Sequence, residues 1–286
     1  MGSMTDQNAN GLAVSVACLT DTGRVRSANE DAFVVAELLE SEVKAINGDL
    51  DDHRVGPDGL LLAVSDGMGG AQAGEVASRL AIELVIRRLS EPAQNGSVTE
   101  RLSDALKLAN RAIWHASRET PAFSGMGATM TAALIYQGQA YLGQVGDSRC
   151  YLIHEGLVQQ VTKDQSLVQV LVDIGQMTKE QAVQSPQRNV VLQSLGVRDE
   201  IEPALSVVTL THDDYLILTS DYLMQKVTDS EMCEIIKQAP TLSGACAQLV
   251  ALANERGGDD NITVIVARFS VANPGVVRQD PHTEIT

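Results

Sequence analysis

The stretch Leu60-Leu61-Leu62-Ala63-Val64-Ser65-Asp66-Gly67-Met68-Gly69-Gly70 decides the fold. Residues 60–64 are a nearly continuous apolar run, the pattern of a strand covered on both faces. The run stops at Ser65-Asp66, and Gly67, Gly69 and Gly70 then demand an unusual backbone path. Upstream, residues 12–19 alternate and predict a strand, and the loop 20–30 leads into a second apolar run at 32–35. Residues 37–59 carry Asp49, Asp51, Asp52 and Asp58 and read as an exposed acidic loop.

Downstream, Val76, Leu80 and Leu84 predict a helix over 75–89. Leu102, Ala105, Leu106, Ala109 and Ile113 predict a second over 98–118. The period then falls to two, and 129–136, 139–145 and 149–154 read as a strand meander, with 157–161 adding another. Residues 165–175 and 179–183 are short helical pieces, the second capped by Thr178. Residues 215–219 form a buried strand, 228–238 and 242–256 are helices, and 261–269 is the final strand. Strands interleaved with helix pairs indicate an α+β domain of antiparallel sheets covered by helices.

The chain has 286 residues and a formal net charge of -16, so it can bury a full core and repels a nucleic-acid backbone. An aromatic content of 3% points to an aliphatic, alanine-rich core. No run approaches the ~20 apolar residues of a membrane span. Cys18, Cys150, Cys233 and Cys246 form no CxxC pair, which argues against zinc and against a disulfide framework and favours a cytoplasmic protein. Met1-Gly2-Ser3-Met4 reads as an expression scar within a disordered segment 1–10. Polar residues 271–286 read as a mobile tail.

The acidic residues sort by position. Asp31, Asp66, Asp221 and Asp260 stand where a strand meets a loop, and Asp147 stands in a turn between strands. Asp beside Gly is common turn chemistry, and each residue alone is compatible with a plain turn. Together they offer an oxygen-only ligand set of the kind that selects Mg²⁺ or Mn²⁺. Two such ions can activate a shared water for in-line attack on phosphorus. Arg26 offers a guanidinium that can grip a phosphate bidentately, while Arg24 reads as an ordinary solvated arginine.

Several segments, in order, carry a resemblance. They are Arg26-Ser27-Ala28-Asn29-Glu30-Asp31, Ser65-Asp66-Gly67-Met68-Gly69-Gly70 and Met126-Gly127-Ala128-Thr129, then Gly146-Asp147-Ser148-Arg149, Arg188-Asn189, Ser220-Asp221 and Gly257-Gly258-Asp259-Asp260-Asn261. The chain resembles the bacterial metal-dependent protein serine/threonine phosphatases of the 2C type (PPM family) over residues 12–269. The resemblance implies a four-layer α/β/β/α sandwich within a phosphatase domain 11–270, with a flap at 165–189. It implies that Asp66 bridges two central Mn²⁺ or Mg²⁺ ions. Asp31 with Glu30 serves one side, the Gly67 carbonyl binds the second ion, and Asp221 and Asp260 complete the set. Asp147, with Asp221, matches the holder of a third, weaker metal. Arg26 matches the phosphate-gripping arginine, and Asp259 reads as a turn residue.

The implied activity is hydrolysis of phosphoserine and phosphothreonine in proteins, opposite a Ser/Thr protein kinase. Three positions depart from the family pattern: Gln165 for His, Tyr222 for Gly and Ser185 for His. Tyr222 is expected to shift Asp221 or narrow the cleft. With Gln165 it supports a competing reading, an inactive pseudophosphatase that binds phosphoproteins as a regulator.

Overall fold

The computed structural model describes residues 12–39, 42–46, 48–69, 73–92 and 96–271. The expected terminal segments 1–10 and 271–286 lie outside these residues, except that Val271 ends the last strand rather than beginning a tail, and Gly70 lies outside as well. The chain runs β1 (Leu12–Asp21), β2 (Asp31–Leu39), β3 (Glu42–Ala45), β4 (Leu50–Arg54) and β5 (Leu60–Met68). Helices α1 (Ala73–Ser90) and α2 (Val98–Glu119) follow, then β6 (Gly127–Ala128), β7 (Met130–Tyr136), β8 (Gln139–Val145), β9 (Arg149–His154) and β10 (Leu157–Gln160). Next come α3 (Leu167–Asp173), α4 (Lys179–Gln184), β11 (Ala204–Thr209) and β12 (Tyr215–Thr219). The chain closes with α5 (Asp221–Lys226), α6 (Asp229–Gln238), α7 (Leu242–Glu255) and β13 (Ile262–Val271).

Among the described residues the strands form two antiparallel sheets. One runs β10-β9-β12-β13-β1-β4 and the other β11-β8-β7-β5-β2-β3, with β6 hydrogen-bonded to β5. Helices α1 and α2 cover the second sheet, and α5, α6 and α7 cover the first. This is the expected α/β/β/α sandwich.

The period of two explains why residues 60–64 read as continuously apolar. Leu60, Leu62 and Val64 face the other sheet, where they meet Val14, Val16, Ile265, Ala267 and Phe269. Leu61 and Ala63 face the opposite way, onto Ala77, Ala81, Val85 and Leu106 of the α1–α2 layer. In the first sheet Ile217, Val264 and Val266 do the same against Leu249, Val250 and Ala253 of α7. Both faces of each central strand are therefore dry, and the small alanines let helices approach closely.

Three expectations need correction. Residues 37–59 are not one exposed loop: β2 continues to Leu39, β3 pairs with it and β4 pairs with β1. Leu38 is buried, so the strand has an anchor beyond Val35. The charges on β4 mark a sheet edge rather than a loop, since charged side chains protect exposed edges from mispairing. Likewise β11, not expected from the sequence, is an edge strand paired with β8, with Leu205 and Val207 exposed. Residues 221–226 form the unexpected short helix α5, begun at Ser220. Thr178 caps α4 as expected, accepting from the Gln181 amide at 3.2 Å in a reciprocal capping box. Among the described residues no helix is long and apolar enough to cross a membrane.

Candidate metal centre

The inter-sheet layer becomes polar at one end, and strand parity dictates which residues appear there. Leu60, Leu62 and Val64 lead at the same parity to Asp66. Val35 and Phe33 lead to Asp31, which pairs directly with Asp66 across β2 and β5. From the other sheet, Phe269, Ala267 and Ile265 lead to Thr263. Directly opposed residues on antiparallel strands present side chains on one face about 5 Å apart. Asp31 and Asp66 are thus brought together by register.

Hydroxyl groups hold the Asp31 carboxylate and the backbone around Asp66 and Asp147. Thr263 Oγ1 donates to Asp31 Oδ2 at 2.6 Å and lies 2.7 Å from Thr20 Oγ1, which accepts from Asn29 Nδ2 at 2.9 Å. With Thr263 committed to Asp31, Thr20 must donate to Thr263, and the relay runs one way from Asn29. The other oxygen, Asp31 Oδ1, is buried without a hydrogen-bond partner. A second set serves Asp66 and Asp147. The Asp66 amide donates to Thr129 Oγ1 at 2.9 Å, and Thr129 Oγ1 lies 2.7 Å from the hydroxyl of Ser148, next to Asp147.

The Asp147 turn is fixed from the far side. The Gly146 amide donates to Gln165 Oε1 at 2.8 Å, and the Gln165 amide donates back to the Gly146 carbonyl at 2.9 Å. Gln165 thus supports the turn. Arg149 makes a bidentate contact with Asp164, its Nη2 at 2.7 Å, and so keeps a guanidinium beside Asp147.

The loop 257–261 is the third support. Asn261 Oδ1 accepts from the Glu30 amide at 2.8 Å, and Asn261 Nδ2 donates to the carbonyls of Thr22 and Ala28. The Gly258 carbonyl accepts from the Arg24 and Val25 amides. Arg26 Nη2 donates to Asp260 Oδ2 at 2.8 Å, leaving half of its side chain exposed. Glu30 folds over the start of α1. A side chain at Gly74 would reach within 2.7 Å of the Glu30 carboxyl, and one at Gly67 would collide with the Gly74 carbonyl. Both positions therefore require glycine for close approach.

The electrostatics follow from gathering like charges at the edge of a dry layer. Burial raises the Asp31 carboxyl to about 7, the Thr263 and Ser220 hydroxyls oppose it, and Asp221 and Asp260 add to it. Asp147 rises to about 7 through burial and then Asp221, with Arg149 opposing. Asp221 rises to about 6 through burial and then Asp260. Asp66 is pushed well up by burial and by Asp31, Asp221, Asp147 and Asp260. Burial also raises Glu30, against the pull of Arg26.

Asp31, Asp66, Asp147, Asp221 and Asp260, drawn from five separate segments, are thus within electrostatic reach of one another. Among the described residues no three His, Cys, Asp or Glu side chains stand as a ready-made metal-ligand group. Like charges in a shared, cation-free cluster repel one another, which keeps the carboxylates apart. The donor set fits hard dications: it is all oxygen, and Asp31 offers a buried oxygen that nothing else satisfies.

Tyr222 corrects an expectation. Its side chain is buried among Leu223, Leu249 and Ala253 below the loop, not in the cleft, so it does not narrow the site. Asp259 contacts Tyr222 and Lys226 and is more than the plain turn residue expected. Sequence reading also missed Thr20, Thr129, Ser148 and Thr263. The parity argument would have found Thr263, which lies two residues before Ile265.

The protein phosphatase 2C family model matches residues 43–230. The chain is 34% identical over 259 residues to the serine/threonine phosphatase stp of Listeria monocytogenes serotype 4b (strain F2365), covering 90% of this chain and 96% of that protein. The serine/threonine phosphatase structure from S. agalactiae superposes with a TM-score of 0.78 at 31% identity, over 89% of this chain and 99% of that one. The catalytic domain of the serine/threonine protein phosphatase PstP, in complex with two manganese ions, gives a TM-score of 0.74 at 33% identity, over 91% and 99%. With matches of this extent on both sequence and structure, the chain belongs to the protein phosphatase 2C family.

Proposed function

We propose that the chain is a metal-dependent enzyme that hydrolyses phosphoserine and phosphothreonine in proteins and opposes a Ser/Thr protein kinase. The observation that carries this reading is Asp31. One oxygen is anchored by Thr263, the other is buried without a hydrogen-bond partner, and Asp66, Asp221 and Asp260 lie within electrostatic reach of it. A cluster that holds protons near neutral pH is one that a dication can stabilise by displacing them.

The proposed roles follow from position. Asp66, Asp31, Glu30, Asp221, Asp260 and the Gly67 carbonyl would hold two Mn²⁺ or Mg²⁺ ions, with Asp66 shared between them, and Asp147 with Asp221 would hold a third, weaker ion. When bound, the pair of ions lowers the pKa of a water they share and makes it the nucleophile. The protein does the rest. Arg26, tethered by Asp260 and half exposed, offers its remaining guanidinium donors to the phosphate oxygens. The hydroxyl relay from Asn29 keeps the Asp31 carboxylate aimed. Met68 carries no proton to give, so that strand supplies no general acid.

Residues 165–189 are proposed as a flap beside this cleft. The support is their anchorage at the Asp147 turn through Gln165, together with α3 and α4, which expose Val170, Ile174 and Val183. The cytoplasm is the proposed compartment, supported by free Cys18, Cys150, Cys233 and Cys246.

The test is phosphate release from a phosphothreonine peptide with Mn²⁺, with Mg²⁺ and with chelator. Release with a dication and its loss in chelator are expected. No release under any metal condition contradicts the reading.

A further inference from the structure

Two segments of the site are tied together immediately beside their carboxylates. Tyr222 follows Asp221, and Asp259 precedes Asp260. The Tyr222 hydroxyl accepts from the Asp259 amide at 2.7 Å and donates to Asp259 Oδ2 at 3.0 Å. Lys226, one turn along α5, places Nζ 3.0 Å from the same Oδ2 and 5.0 Å above the Tyr222 ring. Gly257 makes room, because at φ 137 a side chain there would come within 3.1 Å of the Tyr222 hydroxyl and 2.8 Å of Asp259 Oδ2. The ring is fixed in the α5–α7 layer, so the hydroxyl is a rigid post.

We infer that Tyr222 is a positioning residue, clasping the Asp259 backbone so that Asp221 and Asp260 are held at a fixed separation for one dication. The inference rests on the proposed ligand roles of Asp221 and Asp260. Its physical basis is that Asp259 is exposed and that its own hydrogen bonds run to Tyr222 and Lys226. Nearby, the 257–261 loop is held through Gly258, Asp260 and Asn261 by the 20–30 segment. Among the described residues, it is the Tyr222 and Lys226 contacts that tie Asp259 to α5, where Asp221 lies. A tethered backbone loses less freedom when its neighbour binds a cation, so the clasp raises affinity without touching the ion.

The test is Mn²⁺ binding at 20 °C, read from the electron paramagnetic resonance of free Mn²⁺, on wild type, Tyr222→Phe and Asp259→Ala. Tyr222→Phe keeps the ring and removes the clasp from one side. Asp259→Ala, at an exposed position, removes the carboxylate contact from the other and covers the case in which Tyr222→Phe folds poorly. Both should weaken the affected ion by about 3- to 10-fold, below the range for direct ligand supports. The double variant should weaken it by less than the two single effects combined, because both remove the contact between the Tyr222 hydroxyl and the Asp259 carboxylate. Turnover at saturating Mn²⁺ should stay within about twofold of wild type while the Mn²⁺ needed for half activity rises, a split that a loss of stability alone does not give.

Affinities within twofold of wild type in both single variants overturn the inference, as does additivity in the double variant. Asp221→Asn and Asp260→Asn separate the two levels. If both weaken Mn²⁺ binding while the clasp variants do not, the inference alone fails. If neither does, the ligand roles fail and the inference with them.

Discussion

Replacing Asp66 with Asn should lower turnover of a phosphothreonine peptide by about 10³-fold while raising the melting temperature of the chelator-treated protein. The first effect follows from the proposed bridging role, and 10³-fold corresponds to ~4 kcal/mol of transition-state stabilisation. The second has the opposite sign. Burial raises the Asp66 pKa most, and Asp31, Asp221, Asp147 and Asp260 raise it further. Asn fills the same volume without the charge, so the dication-free fold loses a repulsion. A structural aspartate in an ordinary ion pair would give loss on both counts. Asp213→Asn is the control. Asp213 is exposed, paired with Arg268 at the far end of β13, and should change neither quantity appreciably. Kinetics and thermal melts on the three proteins check this, and an Asp66→Asn enzyme that retains activity contradicts it.

The second large effect is on stability against pH. Asp31 and Asp147 are raised to about 7 and Asp221 to about 6, each from an ordinary value of 3.8. Below pH ~4 these groups are protonated both folded and unfolded, and contribute nothing. Between pH ~4 and ~7 the folded chain holds protons that the unfolded chain has released, so stability falls as pH rises. Above pH ~7 the full penalty is present.

The groups are coupled, and their shifts describe one shared repulsion rather than separate sums. An overall loss of ~3 kcal/mol between pH 5 and 8 is expected, about 6–12 °C in melting temperature for a chain of this size. Exposed carboxylates with lowered pKa, such as Asp213 and Asp173, act the other way but are solvent-screened. Saturating Mn²⁺ should reverse the trend, since deprotonated ligands bind it, and at 100 times the dissociation constant adds ~2.7 kcal/mol. Melts in chelator that rise steadily from pH 5.5 to 8 contradict the account.

The central strands and the aspartates at their ends were legible because both depend on local pattern. The run 60–64 announces a strand dry on two faces, and an abrupt Asp-Gly marks its end. What the sequence hid depends on partners. The edges β3, β4 and β11 carry charged or exposed residues, and nothing local separates an edge strand from a loop. The supporting hydroxyls of Thr20, Thr129, Ser148 and Thr263 come from segments up to 243 positions apart, as in Thr20 with Thr263.

Tyr222 stands out in the sequence as a bulky residue beside a candidate ligand, but the sequence does not show which way its side chain points. As the second residue of α5 it turns into the helix layer, which only the presence of α5 decides.

The central claim is that Asp31, Asp66, Asp147, Asp221 and Asp260 form one dication site. Its most direct test is to count bound Mn²⁺ by equilibrium dialysis and metal analysis at pH 7.5, for wild type and Asp66→Asn. The account predicts at least two Mn²⁺ ions per wild-type chain and fewer than one for the variant. A wild-type chain that binds no Mn²⁺, or a variant that binds as many ions as wild type, would contradict it.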